Sequence, residues 1–534
     1  MRPILSLLAV VMALAPLKTA AETPKLVVNI VVSQMRYDYL VRFSHNLENG
    51  GFKKFLDQGM VFTDARYNYM QTSTPAGLAT LTTGADPSTH GVVSENWIDY
   101  TTNQRVNLIE DRHVWGVGCD AGRGQYSQQN IVVPTLGDRL LEYNPDSRIV
   151  TIAADPVSAV VMGGQNSMVY WLDDSRGCWS SSQAYMEHLP EWVANYNNLH
   201  VARDHMNYVW RPLLDKERYV NKAFSVMNFT SDTRFRRLWA SMGRSGIDRD
   251  YAKLLYLPVG NTLVCEFAKQ AIENERLGQD DHPDMLNICF DSPRYIGETY
   301  GGESMEVEDM FYRLDREITD LLDFINRKLD MNSVVVVITS DHGASDSYDY
   351  GKNPRDRFNA AQFKVIVNGF MNAQYGSGDW VVEYIDRQLF LNHNQIFQRG
   401  LSLEEVQNRV ASFALQFRGV SHVLTSTAMQ MSYFSGSYAE KMQNSFYPRR
   451  AGDLTVNLMP GWIEEEESIR ATSGSMYEYD THVPLMFIGP KFFGQKVTRT
   501  VNMRDVAPTL AHIMQISRPI AAEGEPIPEV VELY

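Results

Sequence analysis

Five short stretches carry the side chains that could do chemistry. Asp341-His342-Gly343 follows directly on the apolar run 334–339. A carboxylate beside an imidazole can ligate a metal or move a proton, and this pair is too polar for ordinary core; without a metal it suits a hydrogen-bond hub. Tyr479-Asp480-Thr481-His482 leads into a second apolar run, where His482 reads most simply as a satisfied buried histidine. Thr74-Pro75 opens a stretch of small residues, and Thr before Pro is a good helix start, with Thr74 as its cap. Ser33-Gln34-Met35-Arg36 closes the first apolar run, and Asp505-Val506-Ala507-Pro508 lies near the end of the chain.

The runs that precede these stretches are the elements that must position them. Segments 26–32, 148–154, 285–290, 334–339 and 483–488 are short and rich in Val, Ile or Leu. They predict buried strands of a parallel sheet. Helical patterns separate them; the clearest covers 304–329, with Val307, Met310, Leu314, Ile318, Leu321 and Ile325 at helical spacing. Glu306, Glu308 and Asp309 stand in its first turns, where they would favour the helix dipole. Alternating strands and helices give an α/β class, and such sheets gather chemistry at the carboxyl ends of their strands. Two stretches, 171–259 and 351–474, break the alternation and read as insertions. The core is then made of 22–170, 260–350 and 475–534. A helix over 402–417 is expected inside the second insertion. Its Glu464-Glu465-Glu466-Glu467 run reads as a solvated acidic turn.

Composition narrows the partners. The 534-residue chain has 64 acidic and 49 basic residues and a formal charge of −15, which excludes a general nucleic-acid binder. Arg2, the apolar stretch 4–14 and Thr19-Ala20-Ala21 form a secretory leader, with residues 1–21 removed on export. No later stretch is long and apolar enough to span a bilayer. Localisation is therefore expected to be periplasmic or at the cell envelope. Cys119, Cys178, Cys265 and Cys289 are widely spaced, which excludes a zinc finger or a CxxC site. Cys119 and Cys178, in polar Gly-containing loops, are the better candidates for a disulfide. Asn228-Phe229-Thr230 matches a glycosylation triplet.

Taken in order, the five stretches resemble the alkaline phosphatase superfamily. Within it, the chain is most similar to the exported PafA-type enzymes with a threonine nucleophile, and it also resembles the type I phosphodiesterases. The resemblance extends to Glu95-Asn96-Trp97, Trp171-Leu172-Asp173-Asp174, Glu306-Val307-Glu308-Asp309 and Gly524-Glu525-Pro526. It implies a three-layer sandwich around a central, mostly parallel sheet. It also implies two zinc ions clamping a phosphoryl group, and a threonine at a helix start as nucleophile.

By this resemblance Thr74 falls on the nucleophile, Asp341 and His342 on one metal's Asp-His pair, and His482 on a ligand of the other metal. The remaining positions depart. Ser33 stands for the first-strand Asp. Arg294 and Glu298 stand for an Asp-x-x-x-His pair, with Asp291 nearby as an alternative ligand. Glu95 stands for a phosphate-binding Asn, and Ala154 and Pro156 for a Lys-x-Arg pair that flanks Asp155. An arginine cannot ligate zinc, because it has no free lone pair and stays protonated. It could pair with Asp341 or Glu298 and replace a metal's charge. The expectation is therefore a pseudophosphatase with no zinc or a single zinc, binding an anionic ligand or a protein partner. The alternative is a phosphate mono- or diester hydrolase with Thr74 as nucleophile and an altered or single metal site.

Overall fold

The computed structural model describes residues 23–120, 122–221, 250–346, 357–465 and 469–534. The leader, the triplet at Asn228, and Glu466 and Glu467 lie outside the described residues.

The main sheet has eleven strands. Its principal members are β1 (Leu26–Val32), β2 (Met60–Arg66), β3 (Ile149–Ala153), β4 (Met168–Asp173), β5 (Cys178–Ser182), β6 (Asp284–Phe290) and β7 (Val334–Thr339). Four further strands, β8 (Val381–Ile385), β9 (Gln388–Leu391), β10 (Val420–Thr425) and β11 (Leu454–Leu458), form a separate sheet. The last principal strand, β12 (His482–Ile488), returns to the main sheet. The spatial order through the centre is β2-β12-β7-β1-β6-β3-β4-β5. β7, β1, β6, β3 and β4 are mutually parallel, while β12 and β5 run antiparallel to their neighbours.

This is the expected α/β architecture, and the alternation of side chains explains its three layers. Val28, Ile30 and Val32 of β1 face one apolar layer, and Val27 and Val31 face the other. The first layer includes Leu263 and Phe267 of one helix and Leu314, Ile318 and Leu321 of the long helix Met305–Lys328. The second includes Leu78, Val160 and Leu510 from three other helices. A polar thread crosses the parallel strands: Asn29 donates to Asn287 at 2.9 Å, and Asn287 donates to Thr151 at 3.1 Å. A one-residue slip would break this thread and turn every side chain over, so it reinforces the register.

Glu308 and Asp309 do more than complement a helix dipole. Both are fully buried. Glu308 accepts the backbone N–H groups of Val220 and Asn221, and Asp309 accepts Trp210 Nε1 and the N–H of Leu213. They tie the segment from Trp210 to Asn221 onto the core. The first expected insertion begins within the main sheet, since β4 and β5 belong to it. The second carries the four-stranded sheet and an apolar cluster of its own, around Phe363, Val410 and Val456. The expected disulfide is overturned: all four cysteines are free, and Cys119 Sγ instead lies 3.3 Å from the carbonyl of Arg123.

Candidate active site and its two halves

The parallel register brings several chain reversals to one edge. Val31 pairs with Thr339 and Val32 with Phe290, so Ser33, Asp341 and Asp291 emerge together. Helix α1 (Thr74–Thr83) and helix α2 (Pro156–Gly163) start at this edge, as does α3 (Ser292–Tyr300). The cavity over them has a volume of about 210 Å³ and is lined by Thr74, His342, Glu95, Arg294 and Glu298 among others.

The half around β1 and β7 is a closed hydrogen-bond network. Asp341 is fully buried. Its Oδ2 accepts the Ser33 hydroxyl at 2.6 Å, and its Oδ1 accepts the backbone N–H groups of Gln34 and His342, both at 2.9 Å. His342 Nδ1 lies 2.6 Å from the carbonyl of Gly343, which can only accept, so this nitrogen carries the proton. The other ring nitrogen, Nε2, is then the acceptor for the Thr74 hydroxyl at 3.0 Å. Burial holds the imidazole pKa below its ordinary value, against the pull of Asp341, and so favours this neutral form. Thr74 is the first residue of α1, not its cap; Ser73 holds the cap position, so the Thr74 hydroxyl is left to His342. Gly77 makes the arrangement possible. A β-carbon there would sit 1.9 Å from the Asp341 carbonyl oxygen, so only glycine lets the first turn press this close.

The half around α2 and α3 is organised by charge. Asp155 caps α2, accepting the Val157 N–H at 2.9 Å. Its other oxygen accepts Arg294 Nη2 at 2.7 Å and the Tyr295 hydroxyl at 2.5 Å. The guanidinium lies 4.4 Å from the centre of the Tyr295 ring. Arg294 therefore pairs with Asp155, where the sequence suggested Asp341 or Glu298. Asp291, expected as an alternative ligand, is occupied otherwise: it accepts the Asp155 N–H at 2.9 Å and the Ser158 hydroxyl at 2.6 Å. Burial and the neighbouring Asp155 raise its carboxyl above the ordinary range. For Arg294, burial alone would lower the pKa, but Tyr295, Glu298 and Asp155 reverse this and keep the cation fixed.

The remaining expected residues fall around these two halves. Glu95 is solvent-exposed at the cavity wall; its carboxyl is raised by partial desolvation and by Asp155. Ala154 and Pro156 border a neighbouring cavity that Glu95 and Arg294 also line. His482 is turned elsewhere: its ring stacks on Tyr37 at 4.7 Å, and Nε2 lies 2.9 Å from the carbonyl of Thr63. Sequence reasoning missed three contributors. Gln71 gave no signal beyond its nearness to Thr74. Glu464 lines the cavity instead of a solvated turn. Arg387 reaches it from the two-residue turn between β8 and β9, where Asp386 (φ 45°) and Arg387 (φ 63°) are both left-handed. Non-glycine residues hold that conformation at a cost of roughly 1 kcal/mol or more each.

An α/β sheet with a threonine at a helix mouth, facing an Asp-His pair at the strand ends, is the framework of an alkaline-phosphatase-type protein. Residues 27–480 match the family of type I phosphodiesterases / nucleotide pyrophosphatases, and the chain belongs to that family, within the alkaline phosphatase superfamily. It is 28% identical to alkaline phosphatase PafA of Elizabethkingia meningoseptica over 522 residues, covering 96% of this chain and 95% of that protein. It is 30% identical to a protein of Myroides odoratus described as a calcium-transporting ATPase, over 96% and 95% of the two chains. The crystal structure of wild-type PafA superposes with a TM-score of 0.87 at 27% identity, covering 95% of this chain and 99% of that one.

The donor set does not fit the two-metal centre that the family resemblance implies. Each zinc needs about four ligands. Ser33 offers a hydroxyl already committed to Asp341, Arg294 offers a cation, and His482 faces Thr63 and Tyr37. Among the described residues, no three His, Cys, Asp or Glu side chains are grouped to hold a metal ion. Nor is any helix there long and apolar enough to cross a membrane.

Proposed function

We propose that the protein is an exported pseudophosphatase of the cell envelope. It has lost two-zinc phosphoester hydrolysis and uses the cavity over Thr74 to bind a ligand. The observation that carries this reading is the 2.7 Å pair between Arg294 and Asp155. It puts a fixed cation, already neutralised, where the family resemblance calls for a metal ligand beside the phosphate-binding positions. Glu95, Ala154 and Pro156 supply no positive charge for a phosphoryl group, and phosphoryl transfer depends on such charge. Export rests on the leader-like residues 1–21.

The test pairs metal content after dialysis into zinc with hydrolysis of a chromogenic phosphate monoester and a diester. The expected result is zinc well below one ion per chain and turnover no higher than that of Thr74→Ala. Stoichiometric zinc with Thr74-dependent turnover would overturn the reading.

One observation favours a second reading. The Thr74 hydroxyl donates to the neutral Nε2 of His342, and a hydroxyl held by a base in this way is the arrangement of an activated nucleophile. Family membership and the relatives described as alkaline phosphatases weigh on the same side. In this reading the protein hydrolyses phosphate mono- or diesters at an altered site. It requires Thr74→Ala and His342→Asn to abolish turnover alike; activity indifferent to both would leave it without its nucleophile.

A further inference from the structure

We infer that this cavity recognises a carboxylate-bearing ligand through Arg387 and Gln71, an assignment that rests on reading the cavity as a binding site. Arg387 is only 5% exposed, yet its side chain lines the cavity and makes no hydrogen bond or ion pair among the described residues. Its charge is felt at a distance by Glu464 and Asp480, whose carboxylates are already bonded to Tyr384 and Ser475. Gln71 is 3% exposed, and neither its amide nitrogen nor its amide oxygen has a partner. The neighbouring Ser73 hydroxyl is unpartnered as well. Buried polar groups left in this state are costly and uncommon in folded proteins, and the Gln71 amide and the Ser73 hydroxyl both border this cavity beside Arg387.

Their positions are fixed from outside the cavity. The Gln71 N–H is held by the Ser445 hydroxyl at 3.0 Å, and the Arg387 carbonyl accepts the Val456 N–H at 2.8 Å. The left-handed turn at Asp386 and Arg387 delivers the guanidinium inward. The ligand chemistry follows from the donors. A guanidinium fork matches the two oxygens of a planar carboxylate. The Gln71 NH₂ and the Ser73 hydroxyl add neutral donors, and Gln71 Oε1 asks for an N–H or O–H beside that carboxylate. Glu95, Asp386 and Glu464 line the same cavity, so a dianionic phosphate meets more repulsion than a monoanion does. An N-acylamino acid or a hydroxy acid satisfies all of these groups.

The experiment titrates the full mature protein with N-acetylglycine, with its neutral counterpart N-acetylglycinamide, and with inorganic phosphate. Calorimetry and the thermal unfolding midpoint are the readouts. N-acetylglycine is expected to bind and raise the midpoint; the amide is expected to do neither. Arg387→Asn, which tolerates the left-handed turn, should weaken binding about tenfold or more, as for loss of a charged hydrogen bond. Gln71→Leu forfeits no protein partner, so it should fold normally and still bind several-fold more weakly. Failure of N-acetylglycine to bind, equal binding of the amide, tighter binding of phosphate, or unchanged affinity in both variants would each overturn the assignment. Thr74-dependent phosphatase turnover would overturn the preceding reading and leave this one standing, because Arg387 takes no part in the Thr74–His342 pair.

Discussion

The two halves of the site answer the same electrostatic problem in opposite ways. Around β1 and β7, the buried Asp341 is surrounded by O–H and N–H donors, the Ser33 hydroxyl among them. There the protein's own dipoles satisfy the carboxylate. Around α2 and α3 the carboxylates of Asp155 and Asp291 remain, and Arg294 supplies a covalently attached cation. The difference teaches that neighbouring buried carboxylates in one site can be satisfied by neutral donors or by a fixed cation. The two arrangements should fail differently when disturbed.

The largest effect is expected in the charged half. Arg294→Met leaves Asp155 and Asp291 buried together without a counter-charge. Breaking a buried pair from one side costs about 3–5 kcal/mol, read as a drop in urea-unfolding free energy. A cost below about 1 kcal/mol would show that the halves do not differ in this way. In the dipolar half, Asp341→Asn keeps the shape and removes the charge that three donors share. A loss of about 1–3 kcal/mol is expected from the same measurement. A loss equal to that of Arg294→Met would erase the contrast.

The smallest and sharpest test is pH. His342 has its folded pKa pushed below 6.5, so its contribution is complete above that pH and is lost as pH falls toward the depressed value. Asp291 has its folded pKa raised above 3.8, so its contribution is complete below that pH and is lost as pH rises through the raised value. The halves thus lean in opposite directions, and folding stability changes by about 1.4 kcal/mol for every tenfold difference in proton affinity between the folded and unfolded chain. In a pH series of unfolding free energies, His342→Asn should flatten the acid limb and Asp291→Asn the decline at higher pH. If either variant flattens both limbs, the two groups titrate together.

Much of this was legible in the sequence. The parallel strands announced themselves as continuous Val/Ile/Leu runs, and their polar successors marked the site edge. Thr74, Asp341 and His342 stood out at a helix start and a strand end, while Ser33 and Arg294 were singled out only by the family resemblance. What was not legible depended on contacts across the chain. Nothing near Arg294 says that its partner is Asp155, 139 residues away. His482 could be read from the sequence as a satisfied histidine, but not its partners, because Tyr37 and Thr63 lie far from it in the chain. Arg387 stands in a hairpin turn where Asn-Gly would be expected, and only the folded second sheet reveals that this turn reaches the cavity. The acidic run at Glu464 was read by composition, which cannot separate a solvated carboxylate from one bonded to Tyr384.

The Arg294–Asp155 pair also bears on how the protein matures. A guanidinium is synthesised with the chain, cannot be chelated and arrives in fixed ratio to its partner. The ion pair at this edge is complete as soon as α2 and α3 dock.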